Sequence, residues 1–345
     1  MNNKSLFKSS WQASSNIALV KYWGKRGRQL PQNPSVSFSL SKCVSKTQVE
    51  IFNSDEKGTL VDYTFSGELK PEFAHRISQF LNGIHDICPK LNDKKLIIAS
   101  TNTFPHSAGI ASSASFYASL AMSLMEFGCM DTELNDHQKL QFASQLARLG
   151  SGSASRSVFG GFCSWGKIKN LSATHDEFAS PINDIHQEFI GLQDSICIVD
   201  NGAKQVSSSQ GHKLMNFHPY AQARFALANE NSATLVDVLK NGDWETFGEI
   251  IETEALGLHA LMMQSLPSVI LLKPKTLTLI EEVKEIRSAL NIPLYFTLDA
   301  GPNLHLIYRK SDKVKIQNEL QELSHSMEIE MIHDEQGQGP SKLEL

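Results

Sequence analysis

The stretch Phe104 to Leu120, FPHSAGIASSASFYASL, carries the densest chemical signal in the chain. Its Pro105, Gly109, Ser112, Ser113 and Ser115 lie between a strand-like run, Lys95 to Ala99, and a small-residue apolar run through Leu124 that reads as a helix. Small residues admit a ligand close to the backbone, and a helix start presents unpaired N–H groups and the positive end of a dipole. Such a turn holds nucleotide phosphates with few side-chain charges. The hydroxyls of Ser112, Ser113 and Ser115 can add bonds to phosphate or to a magnesium ion. The plainer reading is a Ser-capped helix after a glycine turn. No Gly-Lys-Ser/Thr follows the glycine, so this is not a Walker A loop.

Three further groups have the residue types to hold an anion or move a proton. Lys21-Tyr22-Trp23-Gly24-Lys25-Arg26 sets three cations beside two aromatics. That makes either an anion pocket, with Lys21 and Lys25 as ammonium donors and Tyr22 as a hydroxyl donor, or a solvated basic turn anchored by Trp23. Gly150 to Ser157, GSGSASRS, is a polar turn in which Arg156 has nothing local to pair with. Its glycines allow close approach, and serines with one Arg suit a carboxylate or phosphate; a Gly-Ser loop can also be merely flexible. Asp299 directly follows the apolar run LYFTL, where a strand end fixes a carboxylate rigidly; alternatively it is a turn-former bonding its own backbone. His259, within GLHALMM, reads as a satisfied core histidine rather than a ligand.

These residues must be positioned by a chain of 345 residues, long enough for two domains. At 41% hydrophobic and 20% charged it can bury a full core. The net charge of −5 gives no global attraction to nucleic acid or anionic membrane, so a polyanionic ligand needs a local basic pocket. Five scattered cysteines (Cys43, Cys88, Cys129, Cys163, Cys197) without a CxxC pair argue against a disulfide framework and against zinc. The start, MNNKSLFKSS, has no apolar signal-like core, and no later run reaches transmembrane length. The expectation is a soluble protein in a reducing compartment, most simply the cytoplasm.

Strands are expected at Ser10 to Val20, at Ser35 to Leu40 (period two, half-buried), and at Thr47 to Phe52 paired with Leu60 to Phe65 across a turn at Asn53, Asp55 and Gly58. Helical spacing marks Pro71 to His85, with Arg76 on the wet face, and Asp136 to Leu149. Strands follow at Phe162 to Trp165 and Ser195 to Val199. Helices follow at Phe217 to Leu239, Trp244 to Met263 and Thr276 to Leu290. Pro293 to Tyr308 reads as strand, turn, strand, then a helix from Val314 to Ser324 and a strand from Glu328 to His333.

The 104–120 stretch resembles the phosphate loop of the GHMP kinase superfamily, Pro-x-x-x-Gly-Leu-x-Ser-Ser-Ala, with Ile110 in place of Leu. Six motifs in order resemble the mevalonate diphosphate decarboxylase family. They are NIALVKYWGKR from Asn16, FPHSAGIASSAS, GSGSASRSVFGGF from Gly150, VSSSQG from Val206, TLDAGPN from Thr297 and the terminal GQGP. The resemblance covers about residues 11 to 340.

It implies an α+β, two-domain GHMP-kinase-like fold. The N-terminal domain (1–190) would be like domain 2 of ribosomal protein S5, the C-terminal domain (191–345) a ferredoxin-like α/β sandwich, with the active site in the cleft between. It implies ATP and Mg2+, a small-molecule substrate, no nucleic acid or membrane partner, and a homodimer. The implied reaction phosphorylates the tertiary hydroxyl of diphosphomevalonate; phosphate then departs, CO2 is lost and isopentenyl diphosphate forms. Asp299 matches the catalytic aspartate, Arg156 the arginine on the substrate carboxylate, and Lys21 a lysine near the reacting hydroxyl. Tyr22, Lys25, Ser151, Ser153 and Ser208 match residues on the phosphoryl end. Pro105, Ser107, Ala108, Gly109, Ile110, Ala111, Ser112 and Ser113 match the ATP loop, with Ser112 and Ser113 toward the metal. The run Ser207-Ser208-Ser209-Gln210-Gly211-His212 departs from the usual Ser-Ser-Thr or Ser-Ser-Arg followed by Gly-Met. Thr103 and Pro34 also depart. These bear on the choice between diphosphate and monophosphate substrate. Kinase-only relatives lack the Asp and Lys pairing, and a non-enzymatic binding paralogue would need a missing catalytic group.

Overall fold

The computed structural model describes residues 4–105, 110–129, 133–169, 171–200, 202 and 208–345, without the side chains of Ser208 and Ser209. Fourteen strands, eight α-helices and five short 3₁₀ helices are found among these residues.

The front half is built on two long antiparallel strands, β1 (Phe7–Val20) and β4 (Ser35–Asn53). Between them lies a small hairpin of β2 (Lys25–Arg26) and β3 (Leu30–Pro31). Next come β5 (Thr59–Phe65), β6 (Glu68–Leu69), α1 (Pro71–Asn82) and β7 (Lys94–Asn102). The helices α2 (Ser112–Phe127) and α3 (Asp136–Gly150) lead through a 3₁₀ helix, Gly152–Val158, to β8 (Phe162–Trp165) and β9 (Ser180–Pro181).

Thr47 to Phe52 and Leu60 to Phe65 do not pair with each other, contrary to the sequence expectation. Both pair with β7, β4 antiparallel and β5 parallel. The cause is α1, whose buried Ile77 and Leu81 cover the sheet and carry the chain back as a crossover between parallel strands. Ser35 to Leu40 also differs from expectation, because both of its faces are buried. Small hydroxyls make that tolerable: Ser39 Oγ donates to the Phe159 carbonyl at 2.6 Å, and Ser35 Oγ accepts from Arg156 at 2.5 Å.

The rear half begins with β10 (Gln193–Ile198), followed by α4 (Ser208–Leu214), α5 (Ala221–Asn241), α6 (Trp244–Met263) and α7 (Pro274–Leu290). Then come β11 (Leu294–Leu298), β12 (Leu304–Tyr308), α8 (Lys313–Met327) and β13 (Glu330–Glu335). The sheet order β11-β12-β10-β13 is antiparallel throughout, the ferredoxin-like arrangement of two split β–helix–β units. One apolar cluster bridges the halves: Ile17, Leu19, Val36, Phe38 and Leu40 pack with Ile196, Leu235, Phe247 and Ile250.

The terminal segment crosses back to the front. Gly337 N–H donates to the Ser39 carbonyl at 2.7 Å, and Gly161 N–H to the Gly337 carbonyl at 3.0 Å. A Cβ at Gly337 would lie 2.1 Å from the Leu40 carbonyl oxygen, so the close approach requires glycine. The carboxylate of Asp334 accepts from the backbone N–H groups of Ser41, Lys42 and Cys43 at 2.8–3.0 Å. The last strand, β14 (Ser341–Lys342), pairs with β1 at Trp11 and Gln12.

The cysteine expectation is corrected at one point. Cys88 and Cys129 are joined in a disulfide with Cα atoms 4.5 Å apart. The turn after α1 meets the end of α2 there, and a separation of 41 residues hides the meeting in the sequence. Cys43, Cys163 and Cys197 are free and buried.

Candidate functional site

β1 ends at Val20 and delivers Lys21 to the interior, where the residue is 1% exposed. The pairing of β1 with β4 shifts register between Ala18 and Val20, just before this residue. Lys21 Nζ lies 3.2 Å from Asp299 Oδ1 and donates to the Ala18 carbonyl at 2.5 Å. Asp299 follows β11 directly, as the sequence pattern implied. Burial pulls the Lys21 pKa below its ordinary value, and the charge and hydrogen bond of Asp299 oppose that. The peptide groups of Lys21 are also held. Its N–H donates to Glu254 Oε2 at 2.9 Å, and its carbonyl accepts from Asn33 at 3.0 Å and Arg224 at 3.1 Å.

Arg156 sits on the 3₁₀ helix, 2% exposed. Its Nε donates to Asn16 Oδ1 at 3.1 Å and one terminal nitrogen to Ser35 Oγ at 2.5 Å. Both partners are neutral, and among the described residues no carboxylate pairs with it. Burial lowers its pKa, and Asp299 is among the negative groups that counter this. A buried guanidinium held by neutral acceptors retains its full attraction for an incoming anion. Cys163 lies against this helix, but burial pushes its thiol up to about 11, so it is no nucleophile at neutral pH.

Tyr22 packs its ring on Trp165 and His212, at centroid distances of 4.6 and 4.3 Å. Its hydroxyl is buried with no hydrogen-bond partner among the described residues. A Cβ at Gly152 would lie 2.7 Å from that hydroxyl, so glycine keeps the space there. Lys25 is less enclosed and donates to Gln29 Oε1 at 2.9 Å; burial, then Lys213, lowers its pKa. His212 lies between the rings of Tyr22 and Trp23, tilted to both, and accepts the Gly24 N–H on Nδ1 at 3.0 Å. Burial, Lys25 and Arg156 hold it neutral, pushed down to about 3.

The start of α2 reaches the same place. Ser113 Oγ is 3.3 Å from Ser151 Oγ, which is 3.5 Å from Ser153 Oγ. Ser112 opens the helix behind Ala111, which adopts a left-handed φ of 47°. Pro105 is half-buried, and the Ile110 side chain belongs to the core, leaving its backbone as the part available to a ligand. Ser107, Ala108, Gly109 and the Ser208 side chain lie outside the described residues. The structure therefore gathers Lys21, Asp299, Arg156, Tyr22, Lys25, Ser113, Ser151 and Ser153 around a positive locale in a chain of net charge −5.

Sequence reasoning passed over several members. Asn16 lies inside a quoted motif, but its grip on Arg156 becomes visible only in the fold. Glu254 and Arg224 form a buried ion pair at 2.5 Å between two helices, and nothing local in the sequence marks them as partners. His259 is buried as expected; its Nε2 bonds the Asp299 carbonyl at 3.1 Å, while its Nδ1 has no partner among the described residues. Thr103 and Pro34, the departures, have structural duties: Thr103 Oγ1 accepts from Val44 N–H at 2.9 Å, and Pro34 packs against Gly166.

Comparison with known proteins places these elements in a family. Residues 13–179 match the diphosphomevalonate decarboxylase-like N-terminal domain, and residues 195–343 the mevalonate 5-diphosphate decarboxylase C-terminal domain. The diphosphomevalonate decarboxylase of Candida albicans is 28% identical over 90% of this chain and 87% of its own. The solved mevalonate diphosphate decarboxylase of Staphylococcus aureus is 31% identical, with 98% of each chain covered and a TM-score of 0.83. A solved complex of MDDEF with MVAPP, AMPPCP and magnesium is 29% identical, covering 98% of this chain and 99% of that one, with a TM-score of 0.82.

Proposed function

Because the chain belongs to the mevalonate diphosphate decarboxylase family, we propose that it is an ATP- and Mg2+-dependent diphosphomevalonate decarboxylase. The products are isopentenyl diphosphate, ADP, phosphate and CO2. The observation that carries the reading is the contact at 3.2 Å between buried Lys21 and the partly exposed Asp299 carboxylate, beside an Arg156 held only by neutral partners. The site straddles the two halves, which divide near residue 190, although residues 336–342 return to the front sheet.

In this reading Asp299 orients the substrate's tertiary hydroxyl and takes its proton as the γ-phosphoryl group of ATP is transferred. The Lys21 ammonium offsets the negative charge that builds there and later on the departing phosphate. Arg156 forks onto the substrate carboxylate and aligns the C–C bond that breaks; its electron pair forms the alkene as phosphate leaves and CO2 is released. Tyr22, Lys25, Ser151, Ser153 and Ser208 hold the diphosphate end. The backbone from Pro105 through Ser107, Ala108, Gly109, Ile110 and Ala111 to Ser113 cradles ATP.

Ser112 and Ser113 would hold Mg2+ through their hydroxyls. No cluster of three His, Cys, Asp or Glu is present among the described residues, which fits an ion that keeps waters and nucleotide oxygens rather than a protein cage. When bound, the ion supplies neutralisation of phosphate charge.

Purified protein given ATP, Mg2+ and mevalonate diphosphate should yield ADP, phosphate and CO2 in equal amounts. ADP without CO2 would reduce the protein to a kinase. His212, in place of the usual Met beside Tyr22, favours keeping mevalonate phosphate as a second substrate reading; the ratio of kcat/KM values decides it. Cytoplasmic location and a homodimer complete the proposal; the Cys88–Cys129 disulfide runs against the first, since such bonds are rare in reducing compartments, so thiol counting in cell extract tests the location and sedimentation the dimer. No helix among the described residues is long and apolar enough to cross a membrane.

A further inference from the structure

One helix stands behind both members of the Lys21–Asp299 pair. On α6, Gly248, Glu252, Ala255 and His259 fall at i, i+4, i+7 and i+11, a single face. Three of these positions meet β11 or its end. A Cβ at Gly248 would lie 2.0 Å from the Tyr295 ring, so glycine sets the closeness of the contact. Glu252 Oε1 accepts from the Phe296 N–H at 3.2 Å and pairs with Arg287 at 2.8 Å. One turn beyond Ala255, His259 Nε2 donates to the Asp299 carbonyl at 3.1 Å.

Another face of α6, about 130° round the helix, carries Glu254, which is 1% exposed. Its Oε2 accepts the Lys21 N–H at 2.9 Å. Arg224 donates to both Glu254 oxygens, at 2.8 and 2.5 Å, and also to the Lys21 carbonyl at 3.1 Å. Glu254 and His259 are five residues apart, about 7.5 Å along a rigid helix.

We propose that α6 sets the separation of the Lys21 ammonium and the Asp299 carboxylate, with His259 as the positioning residue for Asp299 and Glu254 as the anchor for Lys21. The importance of that separation for turnover rests on the functional reading above. To donate to a carbonyl, His259 must carry its proton on Nε2, which leaves Nδ1 a buried acceptor without a partner among the described residues. A leucine of similar bulk would avoid that desolvation cost. The bond to Asp299 is what the imidazole supplies in return. Burial, and the charge of Lys21 nearby, keep the ring neutral, pushed down to about 4, so it brings no second cation against Lys21.

The test compares His259→Leu with His259→Gln, whose amide can still donate to the Asp299 carbonyl. His259→Leu should lower kcat by about 10- to 100-fold, with KM for ATP and substrate within about twofold and Tm unchanged or raised. His259→Gln should recover kcat to within about threefold of the parent. In the crystal structure of His259→Leu, the Lys21–Asp299 contact should widen beyond hydrogen-bond reach. Parental turnover in His259→Leu, a loss that glutamine fails to repair, or an unchanged Lys21–Asp299 separation would each overturn the proposal. A parent protein that released no CO2 would overturn the functional reading instead; the crystallographic separation would then still decide the role of α6.

Discussion

Replacing Asp299 with Asn is the most direct challenge to the mechanism. The substitution keeps shape and removes both a proton acceptor and the counter-charge 3.2 Å from Lys21. Loss of a positioned general base costs about 10²–10⁴ in rate. At 3.2 Å and an effective dielectric of ~20, the lost attraction is on the order of 5 kcal/mol before relaxation. Burial already favours neutral Lys21, so part of that loss is relieved by deprotonation, which removes the ammonium that the proposed mechanism sets beside the transferred phosphoryl group. The two effects act on one step and do not add fully. The expected fall in kcat is therefore about 10³–10⁴, or about 4–5.5 kcal/mol. Affinity for mevalonate diphosphate should change by less than about threefold, because Arg156 and the hydroxyl cluster are untouched. Coupled ADP release and trapped CO2 measure the first quantity, and calorimetric titration with substrate the second. Preserved kcat with a large loss of affinity would refute the assigned role of Asp299.

Other outcomes follow from the same geometry. Arg156→Lys should lose about 10²–10³ in kcat/KM, since a point charge cannot serve Asn16, Ser35 and a substrate carboxylate together; near-parental turnover would remove Arg156 from the site. Acid should destabilise the fold. His212 and His259 are held neutral, pushed to about 3 and about 4 from an ordinary 6.5, so below pH 6.5 the unfolded chain binds more protons than the folded one. Stability is then complete above pH 6.5 and falls as pH drops toward 4, by at most about 3 kcal/mol between pH 6.5 and 5.5 for the two together. Urea midpoints at the two pH values measure this, and a His212→Met, His259→Leu double variant should flatten the decline; an equally steep decline would contradict it. Gly337→Ala forces a methyl toward the Leu40 carbonyl and should cost about 2–3 kcal/mol, seen as a Tm lower by several degrees with kcat per folded molecule preserved.

The sequence showed the catalytic candidates because two of them directly follow a strand and the third is a lone cation in a short polar turn. Apolar runs stop just before Lys21 and Asp299, and an isolated Arg156 stands among small residues. Helices such as Trp244–Met263 and strands such as Leu294–Leu298 were legible from periodicity to the residue. What stayed hidden is long-range. The insertion of β7 between β4 and β5 depends on a crossover, and a turn signal alone suggests a hairpin instead. The burial of Ser35, Ser37 and Ser39 depends on hydroxyls finding partners about 120 residues away. The Glu254–Arg224 pair and the Cys88–Cys129 bridge join positions that no local pattern connects.

The returning tail has a consequence for biosynthesis. Ser14 bonds the carbonyl of Gln338, 324 residues later. At ~5–20 residues per second, β1 waits about 15–65 s for its closing strand. Until then β1 has a bare edge, and the bend at Ser41 to Cys43 lacks the carboxylate that caps it. The segment that seals the front sheet is thus translated only after the rear half, and a ribosome stalled between the two would present an open β edge to its surroundings.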